Sequence, residues 1–463
     1  MFHPYTFPHT ILLSTTTMRR RITLIHSNAD EVSVKDITSS SLVFDAGVNG
    51  AVEEKYSWSS TSGSYISQLR VQINRAHELD HKLHNWSVPF AYSYQYGLHV
   101  YAQPNSAGIE HQKLFYDDVN VILKDLLGMA VQPGNWIQSL NSLYYHSSEI
   151  PALSNLPSHS VVADLWTSLD YVQTSDSTTL KLFNPNTTFT SYDVSDILEY
   201  AEVGVFTVEA HSSRDEVILS GVRVILNENN ESSDPKIQRT VFHTKPRHRY
   251  LSAPSANILI DPKGLHPVLS ISLIPQAPAD HDIDTCKLFA YLTLNKSVFF
   301  DKYQIPENVT ILAQHGTKDL ELPAYSLEEW GTELLLELDS ASDLDLTLHS
   351  RYQLPNKSAS NVTETIDKAV LFYACDAISD SHIISQSAFD NKQNIGGSFE
   401  GFFTDDCVFY HLSDRGTLPV EIPTLEGSAT MINLATTAAL IFGIFIVLSS
   451  VFTRFQRKKE KTE

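Results

Sequence analysis

Cysteine is scarce in this chain. Cys286, Cys375 and Cys407 are all that 463 residues contain, enough for one disulfide with an odd thiol, or for none. A fold stapled by several bridges is therefore excluded. Positive charge is also short, with 33 Lys and Arg against 54 Asp and Glu and a net charge of −21. The last eleven residues hold five basic and two acidic side chains, so the rest of the chain carries −24. Such a surface repels nucleic acid and anionic headgroups. No P-loop or dinucleotide fingerprint occurs. A secretory signal is missing too, because the only apolar N-terminal cluster, Ile11-Leu12-Leu13, precedes Arg19-Arg20-Arg21 where a signal has its basic residues first. No cleaved signal peptide is expected. Met18 is an alternative start, and residues 1–17 are set aside as a non-structural extension.

Long apolar runs are absent with one exception. Residues 431–451 carry no charge, and at 1.5 Å per residue they reach about 31 Å as a helix, the thickness of a bilayer core. Arg454, Arg457, Lys458, Lys459 and Lys461 crowd the far side, which puts the tail in the cytosol and the preceding residues in a lumenal or extracellular ectodomain. The rival topology is a tail-anchored protein with its bulk in the cytosol. Lys459 and Lys461 stand where a dilysine endoplasmic-reticulum (ER) retrieval signal stands; the plainer reading is that they only satisfy the positive-inside rule. Seven N-x-S/T sequons, at Asn85, Asn186, Asn230, Asn295, Asn308, Asn356 and Asn361, favour the lumenal reading.

Within the ectodomain the apolar pattern is strand-like. The segments that start at Val203, Glu216, Pro267, Lys287 and Glu333 alternate or run apolar, and Pro, Asn, Asp and Ser clusters separate them. Helical spacing is confined to the anchor and to residues 65–83 and 117–127. The expected fold is mainly β, an antiparallel sandwich-like ectodomain with few helices and one C-terminal transmembrane helix. One catalytic motif is present by letter: His77, Glu78 and His81 form H-E-x-x-H, which on a helix binds zinc, but Asp80 lies inside it and no third ligand follows. An exposed polar helix face is the plainer reading. The pairs Asp282/Asp284 and Asp343/Asp345 have the D-x-D spacing of metal-nucleotide sites, which an acidic chain produces by chance. Residues 396–401 miss G-x-S-x-G by one position.

From residue 264 onward a set of short motifs appears in order: Gly264-Leu-His-Pro-Val-Leu, Cys286-Lys-Leu-Phe-Ala-Tyr-Leu-Thr-Leu, Phe299-Phe-Asp-Lys-Tyr-Gln-Ile, Leu320-Glu-Leu-Pro, Leu348-His-Ser-Arg-Tyr-Gln-Leu-Pro and Leu371-Phe-Tyr-Ala-Cys. In this the chain resembles the PIG-X family, whose fungal members are called protease B non-derepressible proteins. The resemblance implies an accessory subunit without catalytic residues, metal or cofactor. Its partner would be the multi-spanning PIG-M-type mannosyltransferase that adds the first mannose to the glycosylphosphatidylinositol (GPI) precursor in the ER membrane, and the fungal branch is also linked to the folding or stability of other ER proteins. A chaperone or cargo receptor without a dedicated enzyme partner is the alternative, and an H-E-x-x-H protease a minor one. The implied organisation is a strand-rich region at 18–260, a PIG-X-like β domain at 261–415, a stalk at 416–430, the transmembrane helix at 431–452 and a basic tail at 453–463.

The motif residues singled out are His266, Asp301, Tyr303, His349, Arg351 and Tyr352. Tyr303 and Tyr352 each lie between a basic residue and a Gln, and the preferred expectation is a buried ring near a strand corner, with direct partner contact as the other reading. His349 and Arg351, two apart, share a strand face. Cys286 and Cys375 sit in the first and last motif strands and are the disulfide candidates for a lumenal domain; Cys375 with Cys407, or three buried thiols, remain the alternatives.

Overall fold

The computed structural model describes residues 18–26, 34–38, 40–60, 65–75, 95–139, 142–153, 165–193, 200–209, 217–226, 236–244, 247–250, 256–274, 277–339, 342–378, 399–404, 406–412 and 416–459. Strands dominate them, and every segment read above as a strand is one. Two bodies of sheet result.

The first is a 12-stranded sheet built from the chain up to Thr244. Its middle is the long pair Ser41–Ser59 and Ser177–Asp193. Pairings are antiparallel except that Arg19–His26 runs parallel to Tyr200–Val208. One helix, Gln112–Leu127, packs on the sheet through Phe115, Val119, Leu123 and Leu126, which recur at helical spacing on one face. It stops at Gly128, whose left-handed φ of 65° lets its N–H reach the Lys124 carbonyl. Residues 76–83 lie outside the described residues, and the described part of the helix expected over 65–83 is not formed, because Ile66–Asn74 is a strand inside this sheet. Its apolar positions 66, 69 and 73 fit a helical face equally well. What settles the matter is pairing: on the neighbouring strand Asp170 Oδ1 accepts the buried Arg70 Nε–H at 2.9 Å.

The second body is a sandwich. A six-stranded sheet, ordered His248–Tyr250, Cys407–His411, Val370–Ala377, Ile283–Asn295, Gly331–Leu338 and Val309–Gly316, faces a four-stranded sheet and the pair Asn361–Asp367 with Thr417–Pro423. Strand Ile283–Asn295 is apolar on both sides because both sides are covered. Leu288, Ala290, Leu292 and Leu294 enter the sandwich core, while Phe289 and Tyr291 turn to a second cluster with Phe372, Phe399 and Phe409. Cys286 lies opposite Cys375 across this sheet and is disulfide-bonded to it, 89 positions apart in sequence. Cys407 is a buried thiol. The expected stalk is partly sheet, since Thr417–Pro423 sends Leu418, Val420 and Ile422 into the core.

A polar seam joins the two bodies. Thr293 donates to Gln95 Oε1 at 2.7 Å. His99 Nε2–H donates to the Gln95 carbonyl at 3.0 Å, which leaves Nδ1 to accept the Tyr144 hydroxyl at 2.8 Å. Trp330 stands edge-on to both Tyr144 and His146. Finally, a helix over Ala429–Lys459 leaves the sandwich, and its segment Ala429–Phe452, with mean hydropathy up to 2.3 and no burial, is a candidate single membrane span.

Candidate functional site

Four motif segments that are far apart in sequence meet at one end of the sandwich. Strand Val298–Phe300 pairs with Leu344–Ser350 and sets Phe299 opposite His349. On the other side of the second strand, the Leu348 and Ser350 N–H groups donate to the carbonyls of Pro267 and Leu265 at 2.9 and 2.8 Å. This register stacks the rings of Phe299 and His349, with centroids 5.1 Å apart, and the Arg351 guanidinium lies over the same Phe299 ring at 4.6 Å. His349 and Arg351 thus share a face.

A pair of imidazoles lies in the cluster. His349 Nε2 is 3.2 Å from Gln304 Oε1, an acceptor, so it carries the proton, and Nδ1 is left to accept from His266 Nδ1 at 3.1 Å. Burial, and then the nearby His266, hold the His349 pKa below its ordinary value, with Asp301 opposing. Asp301 Oδ1 accepts the Tyr303 N–H at 3.0 Å, and the Gln304 N–H returns to the Asp301 carbonyl. This tight turn throws the Tyr303 ring outward.

Arg351 is the pin of the arrangement. It is only 3% exposed, and its two terminal nitrogens donate to the carbonyls of Leu322 and Asp319 at 2.8 and 2.7 Å. Next to it, the Tyr352 carbonyl accepts the Ala324 N–H. The expectation of buried tyrosine rings is overturned: Tyr303 is 81% and Tyr352 67% exposed. Burial falls instead on Arg351, the neighbour of Tyr352, because its fork reaches two loop carbonyls, while Tyr303 stands on a turn and Tyr352 on an irregular segment that both face outward.

The loop that follows Tyr352 is tied to the segment that leads into the apolar helix. Asn356 N–H donates to the Leu425 carbonyl, and the Gly427 N–H returns to Asn356 O at 2.8 Å. The Thr424 hydroxyl donates to the Leu354 carbonyl at 3.1 Å. Ala429, the first helical residue, is two positions beyond Gly427. Beside this loop opens a groove of about 730 Å³ whose lining includes Gln353, Leu354, Tyr325, Trp330, His146 and Glu328.

Other singled-out residues fall elsewhere. Asn186 and Asn361 are exposed, and Asn308 and Asn356 are partly so. Asn295 is engaged: its amide donates to Thr365 O at 2.8 Å and accepts the Ser297 N–H at 3.0 Å. Asp343 and Asp345 serve the sheet, accepting from the Leu273 N–H and the Ser270 hydroxyl. Of the other pair, Asp284 is an exposed residue of strand Ile283–Asn295. His77, Glu78, His81, Asn85, Asn230 and Lys461 lie outside the described residues, while Lys459 ends the helix. Among the described residues, no three His, Cys, Asp or Glu side chains are grouped to hold a metal.

Sequence reasoning passed over two buried clusters. His248 bridges Glu400, at 3.0 Å, and His411, at 2.9 Å, beneath Phe399 and Phe409. Burial raises the Glu400 pKa, but His248 and Arg247 outweigh it and hold the carboxyl at about 2. In the seam, burial pushes Glu333 up to about 7 despite hydrogen bonds from Tyr291 and Ser139. The available signal was a charged residue at an inward position of an apolar strand, as Glu333 is.

Comparison with known proteins places these features in company. A family model described as PIG-X / PBN1 matches residues 262–452, which include the cluster and the apolar segment Ala429–Phe452. Protein PBN1 of Debaryomyces hansenii is 34% identical over 94% of this chain and 96% of its own length. The Candida albicans protein of the same name is 32% identical over 89% and 92%, and that of Saccharomyces cerevisiae 31% identical over 60% and 64%.

Proposed function

Because this chain belongs to the PIG-X / PBN1 family, we propose that it is a non-catalytic subunit of the ER membrane that stabilises the multi-spanning PIG-M-type mannosyltransferase of GPI-precursor synthesis. The ectodomain is lumenal in this reading, the tail cytosolic, and the partner surface is the motif cluster. One observation carries the reading: Tyr303 and Tyr352 are both exposed at the motif cluster that the buried Arg351 pins, and the loop after Tyr352 is bonded to the segment that leads into the apolar helix. Exposed aromatics on a fixed backbone bury large area at low entropic cost, which is why they anchor interfaces. Acidity and the ordered sheets around the cluster suit a scaffold in the lumen. A wider role in the folding of other ER proteins would use the same surface.

Affinity purification from mild detergent tests this. The wild-type chain should bring down one dominant polytopic mannosyltransferase; many substoichiometric clients instead would mean a chaperone or cargo receptor. A Tyr303→Ala, Tyr352→Ala variant should accumulate normally and lose the partner, since exposed substitutions shift stability by only about 0.5 kcal/mol. Arg351→Ala should deplete the protein itself, because removal of hydrogen bonds to a buried charged group costs about 1.5 to 3 kcal/mol. Undiminished recovery of the enzyme with the tyrosine variant would rule out this surface.

A further inference from the structure

The loop that carries Tyr352 and Leu354 has a second consequence, which follows from where it is tied. Its backbone is bonded to residues 424–427 at four points: Asn356 N–H to Leu425 O, Gly427 N–H to Asn356 O, Thr424 N–H to Ser360 O, and the Thr424 hydroxyl to Leu354 O. Gly427, at a φ of 140°, turns the chain from this bonded stretch into the helix that begins at Ala429. Leu425 is four residues before the helix, so even a fully extended chain keeps it within about 14 Å of the first turn. The headgroup layer on each side of a bilayer core is about 5 to 8 Å deep. Large apolar side chains point outward in this same place, with Leu354 55%, Leu425 62% and Tyr352 67% exposed.

We propose that Leu354 and Leu425 form a second membrane contact, seated in the headgroup layer of the leaflet that the C-terminal helix enters. The occupant is the lipid interface of the protein's own membrane. Continuity with the helix argues for it, because a span over Ala429–Phe452 brings this rim to the bilayer surface without any further partner. The residue types agree, since leucine side chains bury at the boundary between headgroup and acyl chain. Charge agrees as well. The net negative charge of the chain before the tail gives no general attraction to anionic lipid, so the contact expected is apolar and independent of headgroup charge. Its effect is to fix the tilt of the sandwich, holding the groove and the tyrosine-bearing face beside the membrane. The proposal rests on the helix being a membrane span, and not on the identity of any partner.

The test uses the full-length protein, alone, in phosphatidylcholine nanodiscs. Cys286 and Cys375 are bonded and Cys407 is buried, so a single introduced cysteine can be labelled with a fluorophore. Leu354→Cys and Leu425→Cys are the probes. Val241→Cys, on the far edge strand of the 12-stranded sheet, is the reference, and Phe442→Cys reports on the span itself. Each variant is used once its disulfide and melting curve match the parent. Lipid carrying a nitroxide near the headgroup should quench the labels at 354 and 425 several-fold more than the label at 241, and Leu354→Glu should sharply reduce quenching at 425. Equal quenching at 354, 425 and 241 would overturn the proposal and leave the rim for a protein partner. Failure of a deep nitroxide to quench the label at 442 would instead sink the membrane-span reading beneath it, which keeps the two failures apart.

Discussion

Glu333 shows how one residue sets a pH dependence. Its carboxyl is buried in the seam, accepts the Tyr291 hydroxyl at 2.8 Å, and has its pKa pushed up to about 7. An unfolded glutamate titrates near 4.3. Between those values the folded state binds the extra proton, so stability at this site is greatest in acid, falls as pH rises through about 4.3 to 7, and is level above that. Glu333→Gln keeps the acceptor for Tyr291 and removes the ionisation. It should raise the melting temperature at pH 7.5, with the gain disappearing toward pH 4.5; a gain that is the same at both pH values would mean that Glu333 is not neutral in the fold. Glu400 works in the opposite sense. Its pKa of about 2 lies below the unfolded value, so His248 and Arg247 stabilise the fold above about pH 4.3, and that contribution is lost as pH falls toward 2.

Strands and loops govern modification and cross-linking. The Asn295 sequon is occupied by its own structure, because both ends of the amide are hydrogen-bonded to backbone, whereas Asn186 and Asn361 present exposed side chains. If the ectodomain is lumenal, mass spectrometry of tryptic glycopeptides should find glycan on Asn186 and Asn361 and none on Asn295. Occupancy at Asn295 would show that the turn forms only after the chain is modified. The bond from Cys286 to Cys375 joins neighbouring strands across 89 positions. Loop-closure entropy for such a span is about 4 to 5 kcal/mol as an upper value, so a Cys286→Ala, Cys375→Ala variant should unfold at clearly lower denaturant. An unchanged midpoint would assign the holding of these strands to packing alone.

For the whole molecule, the decisive issue is which side of the membrane the sheets occupy. Endoglycosidase should increase the mobility of the full-length chain, and intact microsomes should protect everything before Ala429 from added protease. No mobility shift together with digestion of the sheets would restore the tail-anchored topology. Replacing Lys459 and Lys461 with Ala, while Arg454, Arg457 and Lys458 stay, should release the protein from the ER if the pair is read as a retrieval signal. Unchanged residence would mean that a partner holds it there.

Features built from neighbours in the chain were legible in the sequence. Alternating apolar residues mark the strands that start at Tyr200, Val217, Val268, Ile283 and Gly331, helical spacing over 117–127 marks all but the first turn of Gln112–Leu127, and uncharged length marks the candidate C-terminal span. Period and length are local, so no tertiary knowledge is needed to see them. Where two periods fit one segment, local reading failed, and Ile66–Asn74 became a strand because its neighbours in the sheet offered pairing and a partner for Arg70. Only the tertiary structure could decide the rest. His266, Phe299, Gln304, Leu322 and His349 meet through strand register and loop closure, which no spacing in the sequence encodes. The inversion of roles at Arg351 and the two tyrosines has the same origin: an arginine is buried when distant carbonyls converge on its fork, and a tyrosine is exposed when the loop that carries it faces outward.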